Sequence, residues 1–194
     1  EGQRVTVMPL IPLPAWLPDV AAYGSGGLTE ALNVIPRPGN RYAPLRTLTA
    51  QMTEALTARC LGGFGCRDLA GGAHVFVGDA TDLQKMESGG LTWDEVSRLA
   101  GGDYAATERW SFAQFGNRIL AADGVDAMQS YVLGSSTDFA ALGGSSPIAR
   151  YLATVRGFVV AASVSAALRR VQWSALEDAT DWVTSATTLA DQQD

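Results

Sequence analysis

Apolar and polar positions along the second half of the chain follow a pattern that occurs more than once. The segment WSFAQFGNRILAADGVDAMQSYVLGSSTDFAAL has the same order of features as YLATVRGFVVAASVSAALRRVQWSALEDATDWV. Each contains an apolar run, a two-residue turn and a second apolar run, then a polar gap, a third run and an Asp-aromatic pair. A fainter copy starts at Gly72 and ends at Trp93. The sequence therefore contains an internal repeat of short apolar segments that are separated by turns.

The copies recur at a nearly constant interval. The turn glycines Gly72, Gly116 and Gly157 are 44 and 41 residues apart. The aromatic residues that close the copies are 46 and 43 residues apart, and they are Trp93, Phe139 and Trp182. A period in the low forties, built from short strands, is typical of the four-stranded blades of a β-propeller.

The repeat predicts an all-β, propeller-like fold with about three blades and a period of about 41 to 46 residues. The propeller region is expected at residues 47–194, with blades near 47–96, 104–142 and 149–194. Closed propellers typically have four to eight blades. Three blades do not close, so further blades belong to missing polypeptide or to other chains, or the structure is an open arc.

The first 46 residues differ in composition from the repeat, because they contain seven of the eight prolines. Proline removes a backbone donor and holds its predecessor in extended geometry, so this region is expected to be an extended docking arm. Four apolar residues in the arm need a surface to lie on, and they are Trp16, Leu17, Val20 and Tyr23. That surface is the protein's own propeller or a neighbouring subunit; a loose tail is the alternative.

Five aromatic residues at or near repeat positions are expected to pack in the core of the blades: Trp93, Trp110, Phe139, Trp173 and Trp182. The alternative is that some of them line a groove and stack on sugars. In the segment 48–61, helix propensity competes with the repeat, which favours outer strands. Cys60 and Cys66 are expected to be buried thiols in neighbouring strands rather than a disulfide, and His74 is expected to be structural or solvent-facing.

Composition and charge exclude some classes of function. The 194 residues are 47% apolar and 18% charged, which is typical of globular proteins. The net charge of -6 disfavours a nucleic-acid reader, which needs clustered Lys and Arg, so no sequence-specific nucleic-acid binding is expected. No window approaches the run of about 18 apolar residues that a membrane helix needs, and the N-terminus lacks the pattern of a signal peptide.

No catalytic, cofactor-binding or metal-binding residues are predicted. The single histidine, His74, has no nucleophile motif around it, and two cysteines with one histidine cannot by themselves form a four-ligand zinc site. Carboxylates cluster after apolar runs, as at Asp79 with Asp82 and at Asp123 with Asp126. Their recurrence favours a turn role, although two carboxylates brought close in space would also suit a glycosidase.

The sequence also resembles a family of virion proteins. The runs WSFAQFGNRILAADGVDAMQSY, RGFVVAA and VQWSALEDATDW, together with GGLTEALNVIPRPGNRYAPL and VFVGDATDLQKM near the N-terminus, resemble tailed-bacteriophage structural proteins. The likeness is to the propeller-bearing tail hub, also called the packaged-DNA stabilisation or tail accessory protein. It covers nearly all of the chain, and proteins of this kind continue for several more blades.

The resemblance implies a non-enzymatic structural part of a phage tail. Such a hub joins the portal-adaptor region to distal tail parts, helps to retain packaged DNA and is assembled in the bacterial cytoplasm. The implied partners are portal, adaptor and other tail proteins, in a homo-oligomeric ring that the resemblance makes six-membered. A carbohydrate-binding propeller is the alternative function, with a glycan-cleaving enzyme as a weaker third.

Overall fold

The structure, a computed structural model, describes residues 32–38, 41–45, 54–87 and 91–194, with Glu30, Met52 and Gly89. These residues form fourteen strands in four antiparallel sheets, and none of them lies in a helix. None of the sheets closes on itself. The all-β prediction is confirmed. The chain divides into two compact units, Glu1–Ala50 and Gln51–Asp194.

The first unit contains one described hairpin. Strand β1 (Val34–Arg37) pairs with β2 (Arg41–Pro44), and Pro36 lies opposite Tyr42. Proline is tolerated here because a two-stranded hairpin leaves half of its backbone donors outside the ladder. The predicted interface residues Trp16, Leu17, Val20 and Tyr23 lie outside the described residues, so the docking arm stays a prediction.

The second unit contains three four-stranded sheets in which each strand pairs with the next one in sequence. Sheet A consists of β3 (Gly62–Arg67), β4 (Ala73–Gly78), β5 (Leu83–Met86) and β6 (Trp93–Glu95). Sheet B consists of β7 (Ser111–Phe115), β8 (Arg118–Ala122), β9 (Gln129–Val132) and β10 (Ala140–Ala141). Sheet C consists of β11 (Ala149–Val155), β12 (Phe158–Val164), β13 (Ala167–Trp173) and β14 (Asp191–Gln193).

The first two strands of each sheet are the hairpins that the sequence predicts around the three turns. In sheet B the turn is Gly116-Asn117, since Phe115 pairs with Arg118. Only Gly116 has a positive φ, of 58°. A type I′ turn would need positive φ at both central residues, whereas glycine with positive φ at the first position alone is typical of type II′.

The described part of the segment before β3 does not form the predicted outer strands. Residues 54–61 belong to neither a helix nor a strand. The Thr57 hydroxyl instead donates to the Asp79 carboxylate over 3.3 Å and accepts from the Gln84 amide over 3.2 Å. Polar side-chain bonds to sheet A therefore replace the backbone ladder that an added strand would make.

The sheets pack face to face in chain order. We call the face of a sheet that points toward the next sheet its front face, and the opposite face its back face. The front face of sheet A and the back face of sheet B share one core, which includes Phe76, Ile119 and Tyr131. The front face of sheet B and the back face of sheet C share a second core, which includes Leu120 and Val159.

Strand β8 shows why sheet B occupies the middle. Its residues Ile119, Leu120, Ala121 and Ala122 are each at most 1% exposed. Side chains alternate between the two faces of a strand. Ile119 and Ala121 therefore enter the first core, whereas Leu120 and Ala122 enter the second. A continuous apolar run is thus buried on both faces of β8, which is the situation of an inner strand between two neighbouring sheets.

Candidate functional site

The aromatic residues that close each repeat lie on the back faces of their sheets or beside them. Phe139 is 1% exposed and packs edge-on against Phe76 of sheet A, with ring centroids 5.7 Å apart. Trp182 is 2% exposed and lies in the second core. The backbone N–H groups of Phe139 and Trp182 donate to Val96 and Gly144, which both follow the last strand of the preceding sheet. Each of these aromatics thus fastens its sheet to the one before.

Trp93 occupies the corresponding place in sheet A but is only partly buried. It pairs with Met86, and both side chains lie on the back face. No described sheet covers that face, and this distinguishes Trp93 from Phe139. The burial of the closing aromatic therefore depends on a neighbouring front face.

Trp110 joins sheets A and B. It is 3% exposed, its indole N–H donates to the Asp79 carbonyl over 2.7 Å, and its ring meets Tyr104 edge-on at 5.0 Å. The ring lies directly on Gly78, where an added Cβ would be 2.7 Å from Trp110 Cγ. Glycine is required at this position because the indole occupies the space of a side chain.

Trp173 lies on the front face of sheet C, opposite Val160 and Asp191. It is partly buried, and its indole N–H donates to the Leu189 carbonyl over 2.9 Å. This aromatic is therefore placed on the outermost described face rather than between two sheets.

The recurring aspartates shape the second turn of sheets A and B. Asp79 Oδ1 accepts the N–H groups of Thr81 and Asp82, and Asp123 Oδ1 accepts those of Val125 and Asp126. Carboxylates bonded to their own following backbone are typical of Asx turns. The turn role predicted from their recurrence agrees with this geometry.

The two aspartates differ at the second carboxylate oxygen. Asp79 Oδ2 accepts the Thr57 hydroxyl, whereas Asp123 Oδ2 is buried and has no hydrogen-bond partner. Burial raises the pKa of the Asp123 carboxyl, and the neighbouring Asp126 charge acts in the same direction, while the turn N–H groups oppose both. Burial therefore destabilises the ionised form of Asp123. A carboxyl with a raised pKa in a concave site is a candidate functional group.

A cavity of about 260 Å³ lies beside Asp123, at the junction of sheets B and C. Its walls are formed by Glu108, Arg109, Asp123, Arg150 and Tyr151. Arg150 donates to Glu108 over 2.7 Å, and Tyr151 is 53% exposed. Two guanidinium groups, two carboxyls and an exposed phenol ring can together hydrogen-bond and stack on a polar ligand rich in hydroxyl groups.

A second cavity, of about 490 Å³, opens between the ends of sheets A and B and is lined partly by Arg98. The Arg98 guanidinium already donates to the Asp126 carboxylate and to the carbonyls of Gly102 and Asp103. It also lies over the Tyr104 ring at 4.5 Å. This arginine therefore joins the A–B linker to the Asp123 turn.

The predictions for the histidine and the cysteines have mixed outcomes. His74 Nε2 lies 3.0 Å from Asp68 Oδ2, and this bond, with a second one from Gly72 N–H, lowers the pKa of the Asp68 carboxyl. This agrees with a structural histidine. Both cysteines are free thiols, but only Cys66 is buried. The prediction that Cys60 is also buried is wrong, because it precedes β3 and bonds the Gly62 carbonyl from an exposed position.

Two negative findings apply to the part of the chain that the structure describes. It contains no group of three or more His, Cys, Asp or Glu side chains that could hold a metal ion. It also contains no helix long and apolar enough to cross a membrane.

No model of a known protein family matches the chain, and no curated protein matches it significantly.

Proposed function

We propose that this chain is a structural component of a bacteriophage tail, and that its three sheets are consecutive blades of a β-propeller. The observation that carries the proposal is the front-on-back order of sheets A, B and C. Each sheet is a four-stranded meander, and sheet B is buried between its two neighbours. Radial repetition of such sheets is the construction principle of propellers.

The tail role follows from the sequence resemblance to propeller-bearing tail hubs. A hub joins portal and adaptor proteins to distal tail parts, so its working surfaces are protein-binding faces. The front face of sheet C suits that role, because Val155 and Val171 are 51% and 37% exposed on it. Exposed apolar patches of this kind mark interaction sites. In the hub, a homo-oligomeric ring of six copies would present them around the tail axis.

Imaging tests this proposal. Antibodies against residues 54–194 should label tailed particles from the source culture at the tail, close to the head, when viewed by electron microscopy. Mass spectrometry of the same purified particles should detect peptides of the chain. Particles that lack the chain would refute the tail role and leave the sheet architecture untouched.

A carbohydrate-binding function is the second candidate, and the cavity beside Asp123 favours it. Tyr151, Asp123 and two arginines line one concavity, and the second Asp123 carboxylate oxygen is buried without a partner beside it. In this alternative, Tyr151 stacks on a sugar ring while Asp123 Oδ2 accepts a hydroxyl. A glycan array would test it, since binding that is lost in Tyr151→Ala but kept in Val155→Ala would favour a sugar site.

A further inference from the structure

The cavity beside Asp123 is formed by three separate segments of the chain. The linker before β7 contributes Glu108 and Arg109, the turn after β8 contributes Asp123, and the start of β11 contributes Arg150 and Tyr151. Its volume of about 260 Å³ is below the roughly 300 to 1,000 Å³ that is typical of sites for drug-sized ligands. The space therefore suits a single small ring rather than an extended chain.

The segments around the cavity are attached to well-packed parts of the fold. The linker enters β7 through Trp110, which is 3% exposed. Strand β11 is fixed to β7 because the Leu152 N–H donates to the Ser111 hydroxyl over 2.9 Å. Arg150 lies across Gly124, where an added Cβ would be 2.6 Å from Arg150 Cγ. The cavity is therefore preformed, and a preformed site loses little free energy to ordering when a ligand binds.

The charges around the cavity do not all cancel. Arg150 Nη1 donates to Glu108 Oε2 over 2.7 Å, so these two side chains neutralise each other. Burial raises the pKa of the Asp123 carboxyl, which favours its neutral form. The Arg109 guanidinium makes no hydrogen bond or ion pair with any residue that the structure describes. The cavity thus contains a positive group whose hydrogen-bond donors are available to a ligand.

The chemistry of two side chains indicates what such a ligand carries. A guanidinium is planar, and its parallel N–H groups match the two oxygens of a carboxylate. Tyr151 adds a ring that is 53% exposed and has a polar hydroxyl at its tip. A sugar ring can pack its C–H face on an aromatic ring while its hydroxyls bond the polar groups around it. One concavity therefore offers partners for a carboxylate and for a sugar ring.

From this combination we infer that the cavity binds an acidic sugar, a single pyranose ring that carries a carboxylate. The carboxylate lies on Arg109, the ring packs against Tyr151, and the remaining N–H donors of Arg150 bond the ring hydroxyls. The inference rests on the sugar-binding candidate proposed above, which it narrows to one chemical class. It does not rest on the tail role, so particle labelling and sugar binding can fail separately.

A matched pair of ligands tests the charge of the sugar. Methyl β-D-glucuronide and methyl β-D-glucoside differ only in whether the ring carries a carboxylate or a hydroxymethyl group. In NMR titrations of the isotope-labelled full chain, the glucuronide should bind about tenfold or more tightly, and it should shift the signals of residues around Arg109 and Tyr151. Sodium sulfate at the same ionic strength is the third ligand, and it should bind much more weakly than the glucuronide.

Each other outcome overturns the inference in a different way. Equal binding of the two sugars would leave a site for neutral sugars and remove the acidic preference. Binding of neither sugar would refute the sugar-binding candidate as well. Sulfate that binds as tightly as the glucuronide would show that the cavity recognises an anion without a sugar ring.

Arginine variants test where the carboxylate binds. Arg109→Gln should weaken glucuronide binding by about tenfold or more and leave glucoside binding unchanged. Arg109→Lys keeps the charge but not the planar fork, so it should recover part of the loss. Arg169→Gln is the matched control, because Arg169 is exposed on β13 and does not line the cavity. Equal weakening by Arg109→Gln and Arg169→Gln would overturn the inference, since it would reflect the net charge of the protein.

Discussion

Sheets B and C have the same strand order but different surroundings. Sheet B has a neighbour on each face, and four of the five residues of β8 are almost completely buried. Sheet C has a neighbour on its back face alone, so Val159 is fully buried while Tyr151 and Val171 are exposed. The comparison shows that the sequence of a strand determines which of its side chains are apolar, whereas a neighbouring sheet determines whether they are buried. A strand supplies the apolar face, and stability arises only where a second face covers it.

The largest difference in stability is expected between a side-chain truncation on a covered front face and one on the open front face. Leu120→Ala in sheet B removes a fully buried side chain between two sheets and should lower the free energy of unfolding by about 2 to 5 kcal/mol. Val171→Ala on the open face of sheet C should cost less than about 1 kcal/mol in the monomer. Urea unfolding of both variants measures this, and similar losses would contradict the assignment of the open face.

The local part of the architecture could be predicted from the sequence. Two-residue turns and alternating apolar positions fix hairpins through neighbouring residues alone, which is why the turns at Gly116-Asn117 and Arg156-Gly157 were found. The wide turns headed by Asp79 and Asp123 were also recognisable, because a carboxylate that bonds its own backbone needs no distant partner.

The non-local part could not be predicted. Trp93 has the sequence position of Phe139, but its exposure depends on a sheet that the described chain does not place beside it. A constant repeat period would place the equivalent of Leu83 near Val171 in sheet C, yet strand pairing makes Ala167 the equivalent, since it lies opposite Val164 as Leu83 lies opposite Gly78. Sheet C has a tighter second turn, and spacing alone could not reveal that shift.

The contact of Trp110 with glycine offers a second comparison, between two glycines of sheet A. Gly78→Ala would press a methyl group into the buried indole and should cost about 1 to 3 kcal/mol, as overpacking typically does. Gly65→Ala is the control, because its Cβ would enter open space. Thermal unfolding should give a lower melting temperature for Gly78→Ala than for Gly65→Ala. Equal melting temperatures would mean that the Trp110 side chain moves to accommodate the methyl group.

A substitution in a hairpin turn should have a smaller effect on stability. Gly116 has a φ of 58°, which a β-branched residue adopts only with strain, so Gly116→Val should destabilise the protein by about 1 to 2 kcal/mol. Gly116→Asn should cost less, because asparagine tolerates positive φ better. An unchanged melting temperature in Gly116→Val would argue against the turn geometry.

The smallest expected effect distinguishes the Asp turns of sheets A and B. Burial raises the pKa of Asp123 above its unfolded value, so its contribution to stability is present at low pH and is lost as the pH rises through the folded pKa. Asp123→Asn keeps a carbonyl acceptor for the turn N–H groups and removes the buried charge. It should therefore raise the free energy of unfolding at neutral pH by up to about 1 kcal/mol, and the gain should shrink toward pH 4.

Asp79→Asn is the control and should show no such gain, because Thr57 already donates to the second Asp79 oxygen. Urea unfolding at several pH values checks both, and a gain for Asp123→Asn that does not change with pH would show that the buried charge is not its cause.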